Sequence, residues 1–550
     1  SIVENALGPN HPHVSHVLND VAYLLKDQNF FAKAERHLRR ALAIKEKALG
    51  PDHPGVGRVL SSLAFVVIDQ GRYEEAEIFL TRAQVIAEKA LGPNSEGVLA
   101  SLNAYALMLI ELARYAEAEP LYLEALAISK KQLGDEHPDV ATSLNNLALL
   151  YDDQGRYAEA ELLHKRSLAI REKAFGTENI DVAMSLNNLG LLYNKQGRYA
   201  EVEPLYKRSL AIKEKILGPE HPFVATSLNN LALLYDNQGR YAEAEPLYKR
   251  SLTIYEKAFG PEHPDVALSL NNLAFLYRNQ ERFEEALVAS RSSTDIYRRR
   301  FSQGFGEQTK GARSEQQKIS GSFLFHLDLL ARSMQEASAN TQKSLVSEGF
   351  ETAQMATLTR TASTLARIGA RFAAGEGALA EAVRRYQDLF DRREVFEALL
   401  LKELNQTAKT RREDKIRNLR MQLENIQSSL KKARERLENE FPAYAKLARP
   451  SPLSIDEVKN MLAPEEALLT FVIGLEESYL WVIRPDLEKF LIIKGGKKQL
   501  TKTVANLRQT LNPQSRLQPF DLEASQRLYN ILIKPAEEYI GDADHLIVVP

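Results

Sequence analysis

Five histidines of this 550-residue chain stand at one position of a repeating pattern: His11, His53, His137, His221 and His263. Imidazole is the commonest metal-ligating side chain, so such a column raises metal chemistry first. The spacing argues against it. The histidines lie 42 residues apart, or multiples of 42, whereas a zinc site needs its ligands within about 2.0–2.3 Å of one ion. Each also stands in a variant of the same phrase, L-G-P-x-H-P. The glycine there ends a helix, the first proline cannot continue it, and the second holds the histidine extended. The column reads as turn residues, with no metal and no cofactor expected.

A second column carries amides: Asn146, Asn188, Asn230 and Asn272, each preceded by another asparagine (Asn145, Asn187, Asn229, Asn271). A carboxamide has a donor and an acceptor, so it can pair with an extended peptide backbone of any sequence. Three residues on comes an apolar column, Tyr23, Phe65, Leu107, Leu149, Leu191, Leu233 and Phe275. Apolar side chains on a face that should be wet usually mark a partner site. A further column is acidic at Asp27, Asp69, Glu111 and Asp153, then changes to Lys195, Asn237 and Asn279. Together these make Asn146, Asn188, Asn230, Asn272, Leu149, Leu191, Leu233, Phe275 and Asp153 the expected binding groove. Three alternatives stay open: the superhelix partly closes, the C-terminal region covers the groove, and the Asn145 column bonds only to the next repeat's loop.

The elements that must position these columns follow from the period. A closing glycine recurs every 42 residues, at Gly8, Gly50, Gly92, Gly134, Gly176, Gly218 and Gly260. A fixed period of that size means a solenoid. In the unit from Asp139 to Gly176, Leu144, Leu147, Ala148 and Tyr151 fall at i, i+3, i+4 and i+7, one face of a helix. A turn through Gly155 follows, then a second helix striped by Tyr157, Ala160, Leu163, Leu168 and Ile170. On the first helix the face opposite the packing stripe holds Thr142, Asn146, Leu149 and Asp153. Small Ala148 and Ala160 mark a close crossing. With LNNLALLY, QGRYAEAE and LGPEHPDVA, the unit resembles the tetratricopeptide (TPR) repeat in the 42-residue form of kinesin light chains, over roughly residues 1–297. The resemblance implies that the asparagine face contacts bound peptides.

Past the seventh repeat the period is lost. Residues 301–315 read as a polar linker and 316–448 as helical. There Ile416, Leu419, Leu423, Ile426, Leu430, Ala433 and Leu437 form a short a/d seam, favouring an antiparallel hairpin with the helix before it over dimerisation. From residue 450 the texture changes. Ser454 with Glu457 makes a capping box, and strands are expected at 467–473, 478–484 and 489–493. Helices follow at 497–511 and 521–539, then a buried-type strand, HLIVVP, at 545–550. This is an α/β domain, and it looks cut in mid-fold.

The segments FETAQMATLTRTASTLARIGARFAAG, FPAYAKLARPSPLSIDEVKNMLAPEEALLTFVI and HLIVVP together resemble the approach to a CHAT domain, over roughly residues 350–550. CHAT domains are caspase-like and commonly follow TPR repeats in bacterial proteins. Their catalytic histidine and cysteine lie after the equivalent of HLIVVP, so the resemblance assigns no catalytic residue to this chain.

Composition agrees with a binding role. Net charge is −2, which gives no global pull toward nucleic acid or anionic membrane. The chain has no cysteine, hence no cysteine nucleophile. It carries no P-loop, G-x-G-x-x-G, H-E-x-x-H or G-x-S-x-G. The expectation is a mainly α, cytoplasmic protein: a TPR solenoid at 1–300, a linker, a helical hairpin region, and the first part of a caspase-like domain at 450–550. Its role is to bind a protein or peptide, the C-terminal region being one candidate occupant. The chain itself is expected to be no enzyme, and its parent a caspase-like cysteine peptidase.

Overall fold

The structure is a computed structural model. It describes residues 8, 11–27, 31–69, 72–302, 312–357, 377–404, 406, 410–442, 452–474, 476–511, 521–541 and 543–549. The repeats form seven helix pairs: α1 (Pro12–Asp27) with α2 (Phe31–Leu49), α3 (Pro54–Asp69) with α4 (Tyr73–Leu91), α5 (Glu96–Glu111) with α6 (Tyr115–Leu133), and α7 (Pro138–Asp153) with α8 (Tyr157–Phe175). Then come α9 (Ile180–Lys195) with α10 (Tyr199–Leu217), α11 (Pro222–Asn237) with α12 (Tyr241–Phe259), and α13 (Pro264–Asn279) with α14 (Phe283–Ser302). Helices α15 (Ala312–Glu336), α16 (Ala339–Thr357), α17 (Ala378–Leu404), α18 (Glu413–Glu440) and α19 (Ile455–Met461) follow. The chain then forms β1 (Glu466–Ile473), β2 (Ser478–Ile483), β3 (Glu488–Ile493), α20 (Lys497–Leu511), α21 (Leu522–Leu532), a 3₁₀ turn (Lys534–Ala536), α22 (Glu537–Ile540) and β4 (His545–Val549). Of the expected linker, residues 312–315 are the first turn of α15 and 303–311 lie outside the described residues, as does most of the Ala/Thr-rich run after Thr357.

The chain divides into two compact units. One holds α1–α12 with α17 and α18; the other holds α14–α16, α19 and the strands with their helices, the division falling inside α13.

In the first unit the turn residues do what their chemistry dictates. His137 and His221 are N-caps whose Nδ1 accepts the backbone N–H two residues on, from Asp139 (3.2 Å) and Phe223 (3.0 Å). His11, His53 and His263 bond in the same way. Proline at the following position has the helical φ built in and lacks only an N–H that would have no partner. Asn179 takes the cap of α9, where the chain has no histidine. Between the helices of a pair, Gly155 adopts φ +75°; in the last pair Glu281 is forced to the same left-handed turn at φ +61°, strained without glycine's freedom.

Within a pair, Leu144, Leu147, Ala148 and Tyr151 are buried, as their spacing requires. The second helix differs from the expected stripe. Ala160, His164, Ser167, Ile170 and Arg171 are its buried residues, while Tyr157 is exposed and Leu163 and Leu168 are half-buried. The reason is the close crossing: the helix turns its small and polar side chains inward, and Ser167 Oγ donates to the Ala141 carbonyl at 2.7 Å. Ser209 and Ser251 repeat that bond to Ala183 and Ala225.

Successive pairs are stapled by one motif. Tyr193 Oη donates to Glu161, and Arg198 donates to Glu161 of the preceding pair and to Glu201 of its own. The guanidinium lies 3.9 Å from the Tyr193 ring centroid. The same arrangement recurs at Tyr151, Glu119, Arg156 and Glu159, and at Tyr235, Glu203, Arg240 and Glu243. The bonds from Arg198 and Arg240 hold the Glu161 and Glu203 carboxyls down at about 2. Also in this unit, Leu400 and Leu404 of α17 pack with Ile416 and Leu419 of α18 and Ala258 of α12. The heptad residues Ile426, Leu430 and Leu437 are buried too, so the short seam serves a hairpin, as its length suggests.

In the second unit the sheet order is β3-β2-β1-β4, with β1–β2 and β2–β3 antiparallel and β1–β4 parallel. Leu327, Phe350, Ile455 and Val458 cover one face through Leu468, Val472, Tyr479 and Trp481. Ala536, Ile531 and Ile533 lie on the other with Leu469, Phe471, Leu480 and Val482. Two expectations need correction here. The helix expected over 521–539 breaks into α21, the 3₁₀ turn and α22, because Pro535 lacks the N–H that would carry it through. Strand β4 is not buried: every residue of HLIVV is exposed, because it pairs with β1 along one edge and its apolar faces meet no covering layer among the described residues. The capping box is formed as read, Glu457 N–H donating to Ser454 Oγ (3.2 Å) and Ser454 N–H to Glu457 Oε2 (2.8 Å). Ser454→Ala should cost about 1 kcal/mol, measurable as a lower urea midpoint of the unit containing Trp481.

Candidate partner-binding groove

The expected site residues sit on the first helices of the pairs. α7 presents Thr142, Leu149 and Asp153 to solvent, with Asn146 half-buried between them. Of the apolar column, Phe65 is half-buried, while Leu107 is exposed by 38%, Leu149 by 41%, Leu191 by 38% and Leu233 by 44%. These are large apolar side chains at one helical position in four consecutive repeats, each flanked by residues that are fully buried. Phe275 departs from them: in the second unit its ring is stacked on Phe325 of α15. The sequence alternative was that the C-terminal region covers the groove; the contact seen here is at one position of the column, Phe275.

The asparagines hold a different arrangement from the one expected. Asn188 Nδ2 donates to Asn145 Oδ1 at 3.0 Å, and Asn230 Nδ2 to Asn187 Oδ1 at 2.9 Å. At these two steps the columns pair with each other, and Asn145 and Asn187 bond a side chain of the next first helix instead of a loop; Asn229 Oδ1 is buried without such a bond. A carboxamide N–H spent on its neighbour is one fewer donor for a peptide backbone. The ladder's chief effect is to fix the rotation of successive first helices, so that Leu149, Leu191 and Leu233 stay in line.

Charge on this face is also more balanced than the acidic column suggests. Lys195 Nζ lies 2.8 Å from Asp152 Oδ2 and 4.0 Å from Asp153. Burial pushes the Asp153 carboxyl up, and Lys195 works against that. The side chains of Asp27 and Asp69 lie outside the described residues. Among the described residues no group of three or more His, Cys, Asp or Glu side chains could hold a metal ion. Among them, too, no helix is long and apolar enough to cross a membrane.

Beneath this face sit polar groups that the sequence reading passed over. Arg171 donates to Ser185 Oγ at 2.8 Å and Lys213 to Ser227 Oγ at 2.8 Å, both cations buried. Burial pulls Lys213 down to about 8. His164 is 1% exposed, has no partner for either ring nitrogen, and is pulled down to about 4 by burial, with Asp152 working the other way. Its signal was in the repeat itself, where Tyr122, Tyr206 and Tyr248 occupy the equivalent position.

The geometry of paired helices at a fixed period agrees with the comparisons. The family model of the tetratricopeptide repeat matches residues 13–89, 55–131, 97–173, 181–257 and 228–299. No curated protein matches the chain. Among solved structures, a putative kinesin light chain of Podosopora anserina with nearly identical TPR-like repeats is 30% identical, over 37% of this chain and 97% of that one, at a TM-score of 0.34. BtubC (BKLC) from P. vanneervenii is 23% identical over 40% of this chain and 86% of that one, at 0.35. The apo form of RapI is 17% identical over 52% and 97%, at 0.40. The family model covers half of the chain, so the chain belongs to the tetratricopeptide repeat family, and its solenoid is a protein-interaction scaffold.

Proposed function

We propose that this chain is the recognition and regulatory arm of a TPR–CHAT protein, its solenoid groove binding a protein partner that controls a caspase-like cysteine peptidase half. The observation that carries the binding role is the exposed column Leu107, Leu149, Leu191 and Leu233, whose last three members stand on first helices joined by asparagine–asparagine bonds. The peptidase connection has a separate basis. It rests on a sheet layered between helices and a parallel β1–β4 pair. The competing reading is a non-enzymatic adaptor resembling a kinesin light chain, favoured by a family match confined to the repeats.

Replacing Leu191 and Leu233 together by serine should weaken a partner captured on the immobilised chain at least about tenfold, since two buried apolar anchors contribute roughly 1.5–3 kcal/mol each. Unchanged affinity in titration calorimetry would remove the groove from the argument. The intact mass of the protein in its source cells separates the two parents. A value well above 61.9 kDa, with a histidine and a cysteine in the additional sequence, supports the peptidase; a value of 61.9 kDa supports the adaptor.

A further inference from the structure

Four consecutive residues of α15 each engage a different part of the second unit. Phe325 stacks on Phe275 of α13, ring centroids 3.7 Å apart and planes 16° from parallel, with the Arg278 guanidinium 5.1 Å from both rings. His326 bonds Ser290 Oγ of α14 and Glu348 of α16, each at 3.0 Å. Leu327 joins the core beneath the sheet, together with Trp481. Asp328 accepts a hydrogen bond from Tyr479 Oη of β2 at 3.3 Å.

Phe275 is the repeat equivalent of Leu107, Leu149, Leu191 and Leu233, the apolar side chains that stand exposed elsewhere. At this one position the chain shows what the column accepts: an aromatic ring, stacked face to face from an amphipathic helix and flanked by a cation. We propose that the Phe275 position is a binding position already filled by the chain itself, and that the partner it fits is an amphipathic helix presenting an aromatic side chain in place of Phe325. The inference rests on the groove reading above and adds a consequence to it. Phe325 cannot leave alone, because the next three residues of the same helical turn hold α14, α16 and β2. A partner that takes this position therefore loosens the support of the sheet, and an intact sheet support opposes the partner. Such coupling needs two arrangements of α15 that the partner distinguishes.

The probe is a labelled synthetic peptide with the sequence of residues 312–336, and a second peptide carrying Phe325→Ala. In the full chain with Phe325→Ala, the native peptide should bind at least tenfold more tightly than to the unaltered chain. The alanine peptide should show no such preference. Binding to the unaltered chain should also expose Trp481, the chain's one tryptophan, to a soluble quencher. Equal affinity for both chains would overturn the proposal and leave Phe325 a structural cap. If Phe325→Ala does not fold, Phe325→Leu keeps an apolar side chain while removing the stacking, and the same comparison applies. Leu191→Ser with Leu233→Ser leaves this position untouched. Loss of the external partner there, with peptide binding intact, would separate failure of this inference from failure of the groove reading.

Discussion

His164→Tyr combined with His221→Asn should remove most of the solenoid's loss of stability between about pH 6.5 and about pH 4.5. Both histidines are pulled down to about 4 in the folded chain, His164 by burial and His221 by burial and then by the Arg411 charge. The unfolded chain has ordinary imidazoles near 6.5. Above that value neither state binds the proton and the shift costs nothing. As the pH falls below it, the unfolded chain takes up protons that the folded chain refuses, so stability drops until the folded value is reached. Each histidine then accounts for a loss approaching about 3 kcal/mol. The carboxylates of the inter-repeat staples act in a different window. Glu161 and Glu203, at about 2 when folded, add stability that is lost only as the pH falls from about 4.5. The substitutions come from the chain's own repeats. Tyr122, Tyr206 and Tyr248 show that the His164 position accepts a tyrosine, and Asn179 shows that asparagine caps the helix as His221 does. Urea midpoints by circular dichroism at about pH 7.5 and about pH 4.5 test this; a double variant as acid-sensitive as the unaltered chain would place the acid response elsewhere.

That prediction also marks how much was legible in the residues. The 42-residue period fixes both helices of each pair, because backbone geometry repeats with the sequence and needs no tertiary information. The Ser454 box was readable because it is satisfied within three residues; the histidine column was read as turn residues, and the structure adds that His137 and His221 cap their helices. What joins one repeat to the next was less so. Asn188 and Asn145 are 43 residues apart, and only the stacking of first helices decides that one amide meets the other instead of a ligand. The buried stripe of α8 was misread because Leu163 and Leu168 are more apolar than Ser167 and Arg171, yet the close crossing favours the smaller serine and the arginine finds Ser185. Strand β4 reads as buried because HLIVV is apolar throughout; burial depends on what covers a strand, which its own residues do not specify. Residue 326 gave no sequence signal at all, since its two hydrogen-bond partners come from α14 and α16.

Removing Glu348 should destabilise the second unit more than any other single charge change in it. Its carboxylate receives Arg291 through two nitrogens, at 2.7 and 2.8 Å, and His326 Nε2 at 3.0 Å. Burial pushes the Glu348 carboxyl up, but the His326 and Arg291 bonds outweigh it and hold the group at about 2. His326 is 1% exposed, so in Glu348→Ala its ring loses an acceptor that water cannot easily replace. Arg291 is 40% exposed and can turn to solvent, which limits the cost. The expected loss is about 2–4 kcal/mol, the range for breaking a partly buried charged network by deleting one member. The same helix carries Val346, whose carbonyl accepts from Trp481 Nε1, and Phe350, which packs on that indole. Tryptophan emission in a urea titration therefore reports this unit. A cycle with Arg291→Ala should show coupling of at least about 1 kcal/mol. Additive effects would mean that the guanidinium is only a surface partner and that His326 alone depends on the carboxylate. The sign with pH follows from the depressed carboxyl: its contribution is whole above about 4.5 and fades toward about 2. In Glu348→Ala that acid limb should vanish from the tryptophan signal, while the histidine limb of the solenoid, read by circular dichroism, stays where it was.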